Sequence, residues 1–332
     1  MDVFSPTYYR SFRCVAASCP DSCCKEWAVD VDSQSAAYYR ALPGDLGNRL
    51  RAVLQDTEDG TVMTIENGRC PMWRQDGLCR IQAELGHDAL CQTCRDFPRL
   101  RHDYGDFVEL GLELSCPEAA RLILTSTEQH MLFSSHPGGE APDYDAEVMR
   151  ILRHSRKETL DFLYNSSYSL PETIAVILLH SHSVQSQIDG ADPIPIEPEL
   201  CLAEAKKHIE GADAKAIFAF FQKLEILTPE WENRLAQPPV SIRWTPHLRA
   251  LMGYMIGRYW LQAISDYDLI CRVKFAVTAC LLVGSLGGDP IATAQLFSKE
   301  IENDLDNVDA IWDGAYSAPA LTDRNLLSLL LA

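Results

Sequence analysis

Nine cysteines fall within the first 116 residues of this chain: Cys14, Cys19, Cys23, Cys24, Cys70, Cys79, Cys91, Cys94 and Cys116. Thiolates at short spacings are the ligands of soft metal centres, iron-sulfur clusters and tetrahedral zinc above all, so metal binding is the first chemistry this pattern predicts. Cys19 and Cys23 are four apart and would share one face of a helical turn, while Cys24 must point elsewhere. Cys91 and Cys94 bracket two residues, a gap common to zinc knuckles and ferredoxin-type loops. The radical-enzyme pattern, gaps of three and then two residues, is not met, because Glu26 stands where its third thiol is needed. Zinc and iron both remain open. Disulfides are the competing expectation. The opening residues, MDVFSPTYYRSFRC, carry no basic stretch followed by an apolar one, so we expect no secretory signal and a cytoplasmic setting that keeps thiols reduced. Cys201, Cys271 and Cys280 lie in apolar, helix-patterned surroundings where a thiol packs as a small hydrophobe, and they are excluded from the site.

The elements that must hold these thiols are of two kinds. Val108, Leu110, Leu112 and Leu114 alternate with Glu109 and Glu113, and Trp27 to Asp32 alternates likewise, which predicts short strands. Leu78 to Leu90 reads as a short helix, and the neighbourhoods of Gly68 and Gly77 read as turns carrying Cys70 and Cys79. From Pro117 onward the texture changes. Proline occupies probable first turns of helices at Pro117, Pro171, Pro229, Pro246 and Pro290, where its missing N–H costs nothing. The bodies that follow carry helical apolar spacing, as in Val148, Ile151 and Leu152 or Leu251, Met252, Met255 and Ile256. Gly284 to Gly288 reads as a turn between two helices. His180 and His182 read as the end of an apolar helix, compensating its dipole or simply exposed. The predicted fold is mainly α, a multi-helical C-terminal part over 123–332 with a small cysteine-rich, metal-binding α+β part over 1–122.

With 332 residues, 47% hydrophobic and 23% charged, the chain has a globular composition and room for two domains or one elaborated domain. A net charge of −18 repels phosphate backbones and argues against nucleic acid as a partner. The longest apolar stretches, Ile174–Leu179 and Ala279–Val283, fall far short of the ~20 residues that a membrane span requires. Up to Leu124, 12 of the 13 basic residues are Arg, Lys25 being the exception. Guanidinium is a fixed fork for carboxylates and phosphates, suited to an anionic cluster or cofactor, with a solvated surface as the favoured competing account.

The motifs Phe12-Arg13-Cys14, Cys19, Cys23-Cys24 and Trp27, then Gly68-Arg69-Cys70-Pro71, Gly77-Leu78-Cys79-Arg80-Ile81-Gln82, Cys94-Arg95-Asp96-Phe97-Pro98-Arg99 and Leu112-Glu113-Leu114-Ser115-Cys116-Pro117 stand in that order. Together they resemble the flagellin lysine-N-methylase family, within the broader group of bacterial cysteine-cluster proteins regarded as zinc or iron chelators. The resemblance covers residues 8–122 and, faintly, Gly253–Trp260 and Ser298–Glu302. It implies transfer of a methyl group from S-adenosylmethionine to lysine side chains of flagellin, by a protein holding a 4Fe-4S cluster. The matching cysteines are Cys14, Cys19, Cys23, Cys24, Cys70, Cys79, Cys94 and Cys116. Eight thiols exceed one cluster's four ligands, so either two metal sites exist or several thiols are structural. The chain departs from the pattern at Cys91, where a small polar residue is usual and which is read as a bystander, and at Asn303, where a histidine is expected.

Under this resemblance the amine must be neutral although free lysine titrates near ~10.4, which calls for a dry pocket or an adjacent base. Arg95, Asp96, Arg99 and Glu113 are the candidates for holding the donor. Cys116 stands at a helix start, where the dipole is expected to lower its thiol pKa. The alternative is a non-enzymatic scaffold whose cysteines hold zinc or iron.

Overall fold

The protein is described by a computed structural model covering residues 1–126, 131–207, 209 and 211–332. It is mainly α, as expected. Each proline-led segment forms its helix: Pro117–Leu124, Leu170–Ile188, Pro229–Leu235, Pro246–Tyr259 and Pro290–Phe297. Local side chains start several of them. Thr228 accepts the Trp231 amide, Asp289 accepts that of Ala292, and Ser169 and Glu172 form a reciprocal capping box. Between Ile270–Leu286 and Pro290–Phe297 the chain turns on Gly287 and Gly288, with φ of +68° and +80°. Ile270–Leu286 is buried on nearly every side and forms the spine of the helical body, so it shows no amphipathic stripe.

The strands are β1 (Asp2–Pro6), β2 (Val29–Val31), β3 (Leu54–Thr57), β4 (Gly60–Met63), β5 (Arg99–Asp103), β6 (Phe107–Leu112) and β7 (Met131–Ser135). They make two sheets, one in the order β5-β6-β1-β7 and one in the order β2-β4-β3. β1 runs parallel to β6, with Val3 opposite Val108, and every other pairing is antiparallel. In β2, Val29 and Val31 point into the core and Asp30 into solvent, as the alternation predicts.

Two hydrophobic cores result. The larger takes Phe12, Phe107, Leu112 and Leu114 together with the helical body. The smaller is drawn from Val29 to Cys91, around Tyr39, Leu50 and Met72. The predicted helix Leu78–Leu90 is broken into Arg80–Leu85 and the short turn His87–Ala89, because Gly86 takes φ +89°.

One reading is corrected, that of the two histidines, and one buried charge is accounted for. Glu109 alternates with the apolar residues of β6 yet is buried, because helix Ala146–Asn165 covers that face and its Arg156 forms a two-pronged ion pair with the carboxylate. The helix carrying His180 and His182 continues to Ile188, so neither stands at its end. His180 is buried, and His182 pairs with Asp323 at 2.9 Å. Among the described residues no helix is long and apolar enough to cross a membrane.

Candidate metal centre

All nine N-terminal cysteines line one cavity of about 300 Å³. Cys201, Cys271 and Cys280 do not line it, and Cys280 is wholly buried in the helical spine. Four separate stretches converge here. Cys14, Cys19, Cys23 and Cys24 lie on the loop after helix Thr7–Ser11. Cys70 and Cys79 flank a turn, Cys91 caps helix Gln92–Asp96 which carries Cys94, and Cys116 caps Pro117–Leu124.

Backbone hydrogen bonds fix these stretches against one another. The Cys70 amide donates to Cys24 O at 2.8 Å, Glu26 N to Gly68 O at 3.0 Å and Arg80 N to Met72 O at 2.7 Å. Asp32 accepts the Ser35 amide and, with its other oxygen, that of Gln92 at 2.9 Å, which ties the Cys91 turn to β2. Those donations, Gln92 first, hold its carboxyl down at about 2. Gly77 has φ +80°, and a Cβ there would lie 3.1 Å from Ala17 Cα, so only glycine lets the Cys79 turn pack on the Cys14–Cys19 loop. Ala16 and Glu26 bracket that loop in the left-handed region, each at about 1–2 kcal/mol of backbone cost. Strain of this kind collects at functional sites.

The cysteine loop is held from far away in sequence. Helix Pro290–Phe297 runs into a one-turn π-helix, Ser298–Glu302, a distortion common at functional sites. Lys299, only 3% exposed, bonds Asp21 at 3.0 and 3.2 Å, pairs with Glu26 and lies over the Trp27 ring. Gln295 donates to Asp21 at 3.0 Å and to the Ser115 carbonyl at 2.7 Å, joining the loop to the segment that carries Cys116. Glu302 of the same turn accepts from Tyr259 at 2.9 Å and pairs with Arg258 at 3.3 Å. Lys299 and Gln295 carry no local motif that marks them; only the faintly matched piece Ser298–Glu302 pointed to that turn.

Thiol electrostatics follow from burial and contact. Cys23 and Cys24 influence each other strongly, as do Cys91 and Cys94, so that in each pair one thiol is favoured as thiolate while the other holds its proton. Burial raises Cys70 to about 12. Cys116 corrects an expectation: the Ala119 and Glu118 amides lower its pKa, but burial outweighs them and leaves it at about 11.

Of the four residues expected to hold a donor, Arg95 and Arg99 line the cavity, Arg99 over the Phe12 ring at 5.1 Å. Asp96 and Glu113 are not among its lining residues. Asp96 is exposed beside Arg95. Glu113 lies behind the Cys116 wall, where burial raises its pKa and Arg258 and Glu302 are its charged neighbours. Cys91, read as a bystander, is 1% exposed and lines the cavity together with Cys94; the two-residue gap was the signal for it.

Among the described residues no three Cys, His, Asp or Glu side chains stand in an arrangement that could hold one ion. The nine thiols are instead spread around the cavity wall. Their sulfur-rich chemistry suits a soft metal centre, iron-sulfur or zinc, in a lining that also includes Asp21, His87 and Glu118.

No family model matches the chain, and no solved structure matches it significantly. It is 30% identical over 152 residues to the flagellar biosynthetic protein FliU of Salmonella muenchen, an alignment that takes in 40% of this chain and 86% of that protein. It is 31% identical over 139 residues to a lysine-N-methylase of Salmonella choleraesuis and 32% identical over 136 residues to one of Salmonella typhimurium. Each of these alignments takes in 38% of this chain and 33% of the relative, so the chain spans about a third of the lysine-N-methylases it matches. With most of FliU matched at this identity, and the same relationship reaching the lysine-N-methylases, the chain belongs to the family of flagellar biosynthetic protein FliU and the lysine-N-methylases.

Proposed function

We propose that this protein is a protein-lysine N-methyltransferase that uses S-adenosylmethionine, holds a 4Fe-4S cluster in the nine-thiol cavity and acts on flagellin. The carrying observation is that cavity, where thiols up to 102 positions apart in sequence meet on one surface. The names of two relatives supply the reaction, and that of FliU supplies the flagellar setting. A cluster, when bound, supplies an anionic, electron-rich surface of iron and sulfide.

This chain's own residues supply the rest. Phe12, Val15, Trp27, Leu78 and Phe97 among the cavity's lining exclude water, which favours the neutral form of a lysine amine entering it. Arg13, Arg95 and Arg99 on the same wall are forks suited to the donor's carboxylate. Asp21 lines the cavity but is committed to Lys25, Lys299 and Gln295, so it serves as an anchor for the loop.

The test is anaerobic purification followed by iron and sulfide analysis, with calorimetric titration of S-adenosylmethionine. A brown protein that binds the donor and loses transfer but not fold on Cys94→Ser supports the reading. A colourless protein with neither iron nor sulfide overturns it and leaves the zinc scaffold.

A further inference from the structure

A second cavity, of about 80 Å³, shares no lining residue with the thiol cavity: Tyr8 of helix Thr7–Ser11 lines it, while Phe12, just past that helix, lines the other. It lies between β5 and β6 on one side and helices Ala146–Asn165 and Pro246–Tyr259 on the other, with room for a group of several heavy atoms. Met131 lines it and is exposed, so the cavity reaches solvent.

Its floor is a missing side chain. Gly111 stands in β6 opposite Leu100 and does not take the left-handed φ that would call for glycine. A Cβ there would meet only Leu100, at 3.7 Å and 3.8 Å, which is ordinary contact. Neither backbone conformation nor packing therefore requires glycine. Glycine weakens a strand interior, and it often marks a place where a ligand approaches.

Two nitrogens of the lining side chains are buried without a hydrogen-bond partner among the described residues: Arg258 Nε and His102 Nε2. Such groups are rare in native structures and call for a ligand or water. The guanidinium N–H can only donate. Burial and the nearby Arg258 hold the His102 pKa below its ordinary value, against the pull of Glu109, so the ring is neutral and one of its nitrogens can accept. The charges around them are already matched. Arg156 holds Glu109 in a two-pronged pair, and Arg258 pairs with Glu302 at 3.3 Å and donates to Tyr254 Oη at 2.6 Å. Glu113 is a further carboxyl near Arg258. An incoming ion of either sign would bring uncompensated charge into this site, whereas a neutral group would not.

We propose that this cavity binds a small neutral molecule that carries a hydrogen-bond acceptor together with a donor, as a primary carboxamide or an alcohol does. Its oxygen accepts from Arg258 Nε, its N–H or O–H donates to His102 Nε2, and its alkyl part lies over Gly111 against Leu100, Leu112 and Leu160. Water can serve the two nitrogens, but it gains nothing from that apolar wall. The site rests neither on the thiols nor on the function proposed above.

The experiment is saturation-transfer NMR on the full chain with propionamide, 1-propanol, propionate and propylammonium as separate probes, for the native sequence, Gly111→Val and His102→Phe. The neutral probes are expected to bind with a dissociation constant on the order of 1 mM, and the two ions at least about tenfold more weakly. Gly111→Val fills the floor and abolishes binding, and His102→Phe weakens propionamide about fivefold. Should Gly111→Val fail to fold by circular dichroism, Gly111→Ala fills less of the floor and is expected to weaken both neutral probes. Binding of either neutral probe that the Gly111 variant removes or weakens supports the site. Equal binding of propionate and propionamide, binding unchanged in the folded Gly111 variant, or no transfer to any probe, which leaves a cavity for water only, overturns it.

Discussion

Replacing Lys299 by methionine tests how the cysteine loop is held. The ammonium is buried and serves Asp21 and Glu26 together, so its removal leaves two carboxylates short of a cation. Breaking a buried pair from one side costs ~3–5 kcal/mol. Two observations reduce that figure. Lys25 stays within 2.7 Å of Asp21 and 3.7 Å of Glu26, and the two carboxylates are 21% and 26% exposed, so water screens them. About 2 kcal/mol remains, which corresponds to a fall in Tm of about 3 °C for a chain of this size. The loss is local, so the loop should undock before the body melts. Thermal denaturation followed by circular dichroism measures the first effect, and mass spectrometry of iodoacetamide-treated protein measures the second as faster alkylation of Cys19 and Cys23. Lys25→Met, at a part-exposed pair, is the control and should cost under ~1 kcal/mol. Unchanged melting and alkylation in Lys299→Met, or an equal cost in Lys25→Met, would refute the strut.

Arg156→Met strands Glu109 at 8% exposure and should cost about 3 kcal/mol by urea denaturation, with part recovered in Arg156→Met/Glu109→Leu because the orphaned charge goes too. Burial holds the His180 pKa below its ordinary value, so the unfolded chain binds the extra proton first and stability falls as pH drops below ~6.5 toward the folded value. His180→Leu should flatten the His180 share of that slope at little cost at pH 7.5, since the ring's Nε2 has no hydrogen-bond partner; denaturation at pH 7.5, 6 and 5 checks it, and an undiminished slope counts against it. Gly77→Ala forces a Cβ to within 3.1 Å of Ala17 Cα at φ +80°, which should cost about 1–2 kcal/mol and lower the metal content by loosening the Cys79 turn from the Cys14–Cys19 loop.

The helical body was readable because its signals are local. A proline at Pro229 preceded by Thr228, or Pro290 preceded by Asp289, states where a helix starts, and the structure places each start there. Where local signals fell short, a distant partner had intervened. The alternation of β6 put Glu109 on the face opposite Val108 and said nothing of what covers it; it is buried because Arg156 on helix Ala146–Asn165 neutralises it. His180 was assigned to a helix end, but nothing in Ser183 to Ile188 stops the helix, which continues two turns further.

The candidate site divides along the same line. Cysteine is legible by type, so its nine positions could be gathered into one expectation, and even Cys91 had the right spacing to Cys94. What spacing cannot state is how each thiol is seated, since Cys23 and Cys24 are adjacent in sequence yet only Cys24 packs against the smaller core while Cys23 is exposed. The seat of the Cys19–Cys23 loop is fixed by Lys299 and Gln295, separated from Asp21 by 278 and 274 positions. Neither is a ligand type, and neither belongs to a motif with a mechanism of its own. Both become meaningful only when the π-turn swings Lys299 inward beside Gln295, so that one short stretch of the helical body grips the Cys19–Cys23 loop and the Cys116 segment at once. The placement of Cys19, Cys23 and Cys116 therefore depends on residues at the far end of the chain.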